Sequence, residues 1–267
     1  MNRREALIRG SALAAGLVAA THGVAAPGEA LEAAIASADR SPANRLRDAY
    51  RRPLEALRFW GVRANMTLVD IEPGGGYWTE ILAPYLRGGG GRYIAAIDGA
   101  PDHFLARFSD TSRWGQVTAV SLFDGPYAAP GTVDMILTTR NIHDWVAEPK
   151  KLDAVLAASH AALKPGAVLA VTDHRADPRA MLADASDGYV NTAWVVRRLE
   201  GAGFKLSSSS EINANPKDDK NHPFGVWTLP PTLRSHAKGQ PVSADYDAAK
   251  YLAIGESDRM TLRFVKI

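Results

Sequence analysis

The chain has 267 residues, 46% of them hydrophobic and 22% charged, enough apolar side chains to bury the core of one sizeable domain. It contains no cysteine, which excludes disulfides, thiolate zinc sites and a cysteine nucleophile. The net charge of +2 is carried by the first 26 residues, where Arg3, Arg4 and Arg9 face only Glu5; the neutral remainder excludes a basic surface that tracks nucleic acid.

Those first residues read MNRREALIRGSALAAGLVAATHGVAA. A basic start, an apolar stretch from Ala12 to Ala20 and the small-residue site Val24-Ala25-Ala26 make residues 1–26 an expected signal peptide. The adjacent arginines resemble a twin-arginine export signal, which implies a periplasmic or secreted protein. The apolar stretch is too short to span a bilayer, so no membrane insertion is expected once it is cleaved.

Residues 27–62 read as N-terminal helices, Gly28–Arg40 and Ser41–Val62. Ser41 suits an N-cap with Pro42 in the first turn, and Gly61 is a stop. Arg45, Asp48 and Arg52 recur at i, i+3 and i+7, a spacing that gives a salt-bridged surface on one helix face. Residues 63–267 then alternate. Strands are expected at Thr67–Ile71, Tyr93–Ile97, Val117–Leu122, Val133–Thr138 and Val168–Thr172. Helices are expected at Tyr77–Leu86, Asp102–Phe108, Pro149–Leu163 and Gly188–Ala202. Strands this apolar, separated by helices, imply a parallel sheet covered on both faces. Beyond Gly203, FKLSSSSEI and RMTLRFVKI read as an antiparallel pair of strands at one edge. Between them Asn213–Ser257 is a polar, proline-rich insertion, longer than a plain connection requires.

Gly74, Gly75 and Gly76 follow the first strand directly and open a helix. Missing Cβ atoms there let a ligand touch the backbone, next to free N–H groups. The second run, Gly88–Gly91, precedes a strand and reads as a turn only. A dinucleotide fingerprint needs a third glycine where Thr79 stands, which argues against an NAD-dependent dehydrogenase, and no Walker lysine follows. What remains is the loop of S-adenosylmethionine enzymes. In them an acid ends the first strand and a second acid, roughly 20 residues past the glycines, ends the next. Asp70 and Asp98 hold those places.

Here the sequence resembles the class I S-adenosyl-L-methionine-dependent methyltransferases. More narrowly, it resembles predicted exported bacterial methyltransferases that carry RLRDAYRRPLEALRFWGV and EPGGGYWTEILAPYL in these forms. The resemblance implies a seven-stranded, mostly parallel Rossmann-like sheet with helices on both faces and an antiparallel edge hairpin. It implies S-adenosyl-L-methionine bound by Asp70, Glu72, Gly74, Gly75, Gly76 and Asp98, with Asp98 on the ribose hydroxyls. It also implies that the Arg45–Asp48–Arg52 face closes over the cofactor cleft. Glu72 is a departure, because most class I enzymes have glycine there: either the methionine end of the cofactor sits differently, or Glu72 meets its ammonium.

After the fourth strand, NIHDW resembles the His-Asp-Trp motif of O-methyltransferases, in which the histidine is the general base. That assigns the role to His143, with Asp173 at the end of the next strand orienting it, a chemically sensible pair. His174 and Arg175 stand at the same sheet edge, as binders of an anionic acceptor or as solvated loop residues. Trp227 and Phe224 would give the insertion an apolar face over a small-molecule acceptor. His103 and His160 read as structural. Asp218, Asp219 and His222 match no metal spacing, so no metal is expected. The alternative to an enzyme is an exported ligand-binding protein that keeps the fold without the reaction, because the cofactor is made in the cytoplasm.

Overall fold

The computed structural model describes residues 27–178, 181–243 and 245–267; the expected export signal lies outside them. In chain order the first layer is α1 (Pro27–Ala36), α2 (Pro42–Leu46), α3 (Asp48–Arg51) and α4 (Pro53–Trp60). There follow β1 (Thr67–Ile71), α5 (Thr79–Gly88), β2 (Arg92–Ile97), α6 (Asp102–Arg107), α7 (Thr111–Trp114), β3 (Val117–Ser121) and β4 (Val133–Thr139). The remainder is α8 (Pro149–Ala162), β5 (Leu163–His174), α9 (Thr192–Glu200), β6 (Phe204–Ser210), α10 (Ala248–Ile254) and β7 (Arg259–Lys266).

The strands form one seven-stranded sheet in the order β3-β2-β1-β4-β5-β7-β6. The first five are parallel, and β7 runs antiparallel to both β5 and β6. Side chains alternate across each strand. In β1, Leu68 joins Trp60, Ile81 and Leu86 on one face, while Val69 and Ile71 join Leu152, Leu156 and Leu199 on the other. Both faces are thus covered by helices, as a parallel sheet requires. Because β1 turns toward β2 on one side and β4 on the other, a crevice opens between the ends of β1 and β4. Being antiparallel, β7 brings its N-terminal end, Arg259, beside His174 at that same edge.

Several boundaries differ from expectation for local reasons. The single helix expected over Ser41–Val62 is three pieces. Pro53 disfavours helical backbone in the residue before it, and Arg52 instead takes a left-handed φ of 42°. The helix expected from Gly188 starts at Thr192, where the Asn191 side chain accepts from the amides of Ala193 and Trp194. The strand expected at Val168–Thr172 extends from Leu163 to His174. The described residues of the Asn213–Ser257 insertion hold a 3-10 turn at Gly225–Thr228 and the helix α10, which is capped by Asp247. Among the described residues no helix is long and apolar enough to cross a membrane.

Candidate active site

The loop after β1 forms one wall of the crevice. Gly74 and Gly75 line a cavity of about 460 Å³ together with Glu72, Tyr77, Trp78, Asp98 and, from the β4 side, Arg140, Asn141 and Asp144. Gly74 has a φ of 54° with no atom near its missing Cβ, so the backbone there is bare toward the cavity. Gly76 serves packing instead. Its φ is 76°, and a Cβ would sit 2.3 Å from the ring of Phe108. Glu72 has a φ of 47°, a conformation that favours glycine, and its carboxylate accepts the Asp98 amide in a short hydrogen bond. Burial pushes the Glu72 pKa up; that bond opposes the rise and the Asp98 charge adds to it.

Asp70, expected on the cofactor, is not among the residues lining this cavity. Strand alternation turns it into the layer under α5, fully buried, where its Oδ2 accepts from the Tyr93 hydroxyl at 2.7 Å. Burial holds its pKa up at about 7. Thr79, in place of the third fingerprint glycine, lies 2.8 Å from the same Tyr93 hydroxyl.

The facing wall is cationic. Arg47 and Arg51 come from α2–α3, and Arg140 ends β4. The face expected from Arg45, Asp48 and Arg52 is rearranged by the break before Pro53. Arg45 and Arg52 are exposed, Asp48 points inward, and Arg47 and Arg51 take the cleft. Asp48 is the anchor, accepting from both Arg40 guanidinium nitrogens at 2.7 Å and from the Tyr77 hydroxyl at 2.6 Å. The Arg51 guanidinium lies 4.3 Å from the Tyr77 ring centroid, a cation–π contact. One buried carboxylate, Glu256, accepts from Arg47 Nε at 2.5 Å, from Arg51 Nε at 3.3 Å and, in a short bond, from Arg259. Burial alone would raise its pKa, but these guanidiniums hold it well below the usual carboxylate range. Burial pushes Arg51 down strongly, and Glu256 opposes that less than fully.

Next to this cavity, and not lining it, His143 is buried on the 3-10 turn that follows β4. Its Nδ1 lies 2.8 Å from Oδ1 of Asp173, whose carboxylate also accepts from the His143 and His174 backbone amides. With Nδ1–H donating to Asp173, the neutral ring keeps its lone pair on Nε2. Burial would lower the His143 pKa, but the charge and hydrogen bond of Asp173, with Asp144 adding, raise it above 6.5. The His174 ring, 4.9 Å from that of His143, bonds Ser257 and is driven well down by burial and the neighbouring cations. A second chamber of about 140 Å³ lies here, lined by His143, His174 and Arg140 and, from the insertion, by Val226, Trp227, Pro230 and Pro231.

Arg175 is placed elsewhere. Its Nε and Nη2 donate to Asp258 and its Nη1 to Glu211, so strand alternation and two carboxylates hold it away from both chambers. Among the described residues, two groups of side chains hold possible metal-ligand atoms within 4.8 Å of one another: His143 with Asp173 and His174, and Asp218 with Asp219 and His222. The buried carboxylate of each is already engaged, Asp173 as above and Asp218 by Tyr189, His222 and two backbone amides. Sequence reasoning missed Arg47, Arg51, Arg140 and Glu256. The only signal for Arg140 was its place between β4 and NIHDW, and Arg51 is the third arginine of the quoted helical motif.

The fold is that of the class I methyltransferases. A SAM-dependent methyltransferase from Aquifex aeolicus matches with a TM-score of 0.52 at 20% identity, covering 70% of this chain and 93% of that one. The N-methyltransferase NodS from Bradyrhizobium japonicum WM9, in complex with S-adenosyl-l-homocysteine, matches with a TM-score of 0.50 at 16% identity, over 90% of this chain and 98% of that one. No family model matches the sequence, and no curated protein matches it.

Proposed function

We propose that the chain is an S-adenosyl-L-methionine-dependent methyltransferase acting on a hydroxyl group of a small molecule, with His143 as general base and Asp173 as the group that orients it. The observation that carries this reading is the juxtaposition of two chambers: Arg140 and Asp144 line both the glycine-loop cavity and the pocket of His143. The residues fit the cofactor, since bare glycine backbone at Gly74 faces the larger cavity and the acid at the end of β2, Asp98, lines it. Asp98 would hold the ribose hydroxyls and Glu72 would face the ammonium. The bound cofactor supplies a methyl group on a sulfonium, whose sulfur keeps the bonding electron pair and departs as a thioether.

The protein's own work is to align and to deprotonate. Holding the acceptor oxygen in line with the methyl replaces a bimolecular encounter with a positioned one. His143 Nε2 takes the hydroxyl proton as the oxygen bonds to carbon, and Asp173 and Asp144 stabilise the resulting imidazolium. Calorimetry with S-adenosylhomocysteine tests the cofactor half: it should bind, and Asp98→Ala should weaken it about 10- to 100-fold, as expected for loss of a hydrogen-bonded charge. His143→Ala should leave that affinity intact and lower turnover by about 10²- to 10⁴-fold. Turnover in the parent should rise with pH through an inflection above 6.5, because the base must be neutral and its pKa is raised. Cofactor binding without transfer to any hydroxyl acceptor would instead make the chain a binding protein on this fold.

A further inference from the structure

Arg140 is unlike the other arginines of the crevice. Its backbone is left-handed, with a φ of 65°, and is fixed by a 2.8 Å hydrogen bond from its amide to the Thr172 carbonyl. Its guanidinium has no hydrogen bond or ion pair with any described residue, although it lines both chambers and a small gap beside Arg51 and Arg259. The polar groups around it are short of acceptors. Arg47 Nη2, Arg259 Nε and Trp78 Nε1 are all buried donors with no partner. Four guanidiniums converge there, and Glu256 is the one carboxylate in contact with three of them. Asp173 is spent on His143, and Asp144 is more than half exposed to water. Burial, then Arg259, push the Arg140 pKa down to about 10, which leaves it charged at neutral pH. A half-buried charge with no partner among the described residues is open to a bound anion, which gains a charge-assisted pair there.

The cofactor does not make up this deficit. Its one carboxylate is matched by Arg47 and Arg51 in the glycine-loop cavity and its sulfonium adds positive charge, so the anion that meets Arg140 in the His143 chamber comes with the acceptor. We infer that the acceptor is a small hydroxylated carboxylic acid, its carboxylate seated on the Arg140 guanidinium in the His143 chamber and its hydroxyl presented to Nε2. This rests on the methyltransferase reading. Two features of the chamber set the class. A planar guanidinium matches a carboxylate through two parallel hydrogen bonds. A volume of about 140 Å³ walled by Trp227, Pro230 and Pro231 is close to that of a cavity that holds one benzene ring.

The test is calorimetry on the full chain with two probes of one shape, 3-hydroxybenzoate and its neutral analogue 3-hydroxybenzamide, with and without S-adenosylhomocysteine. The acid should bind about ten-fold or more tightly than the amide, and Arg140→Gln should erase the preference. Arg140→Gln should not lower the melting temperature of the unliganded protein, since the half-buried guanidinium it removes has no hydrogen-bond or ion-pair partner among the described residues. Equal affinity for acid and amide, no binding of either, or a preference that survives Arg140→Gln would overturn the inference. So would a lowered melting temperature in the variant, which would make Arg140 a structural prop. If S-adenosylhomocysteine fails to bind while the acid preference holds, the cofactor reading falls and the anion site stands.

Discussion

The two walls of the crevice are built by opposite means. The glycine wall is one continuous βα unit, β1 through the end of β2, and its acids Glu72 and Asp98 touch through a backbone amide. The arginine wall is assembled from three remote places: α2–α3, the end of β4 and the start of β7. Its central contacts join Arg47 and Arg51 to Glu256, 209 and 205 residues away along the chain. The first wall follows from local backbone geometry. The second exists only because β7 inserts antiparallel and delivers its N-terminal end to the rim. Local spacing can therefore lay out the glycine wall, whereas the arginine wall depends on the complete fold.

Breaking the arginine wall should have the largest effect on stability. Glu256→Gln removes the one carboxylate that Arg47, Arg51 and Arg259 share. Losing one partner of a buried ion pair costs about 3–5 kcal/mol, because the remaining charge stays buried and unpaired. Urea unfolding at neutral pH should show that loss, and combining it with Arg140→Gln should recover part of it. The parent carries the same dependence on pH. The folded pKa of Glu256 is depressed, so its contribution is complete above the unfolded value of about 4.5 and is lost as pH falls toward the folded one. Full stability of Glu256→Gln would show that the wall is held by packing rather than by charge.

The glycine wall is sharpened by two substitutions that look alike in sequence. Gly74→Ala meets no atom and should cost only the left-handed backbone penalty, about 1–2 kcal/mol. Gly76→Ala carries the same penalty and also drives a Cβ into Phe108, a buried ring packed against Trp114 at 5.4 Å and Phe104 at 4.9 Å. Overpacking adds about 1–3 kcal/mol, so the second variant should be the less stable in a denaturant titration. Equal losses would mean that the Phe108 ring moves aside.

What the sequence disclosed follows the same division. The sheet, the edge hairpin and the acid after β2 were legible because apolar runs and glycine spacing are short-range signals. So was the His143–Asp173 pair, since His143 lies on the turn that follows β4 and Asp173 lies near the end of the neighbouring parallel strand β5. Asp70 was misplaced because spacing along a strand does not say which face an end residue takes, and alternation with Leu68 puts it under α5. The Arg45–Asp48–Arg52 face failed because it assumed helix through Arg52, where Pro53 forbids it. Arg175 lies one residue beyond His174, and that one step turns it from the chamber to Asp258. Arg140 offers no sequence pattern at all: what marks it is the partners it lacks.

The smallest predicted effect concerns Glu72, the acid of the glycine wall that has left-handed backbone. Glu72 sits beside Asp98 with a raised pKa, so its charged form is disfavoured in the folded protein. Glu72→Gln keeps an acceptor for the Asp98 amide and removes the like charge. Because the side chain is half-buried and solvent screens it, the gain at neutral pH should be only a few tenths of a kcal/mol. The sign of its pH dependence is opposite to that of Glu256: a raised carboxyl pKa destabilises the fold above it, so the advantage of glutamine should fade as pH drops below about 4.5, where the parent side chain is protonated in both states. If the advantage instead persists in acid, the charge of Glu72 is not what opposes folding there, and the left-handed backbone that both side chains share becomes the source of the strain.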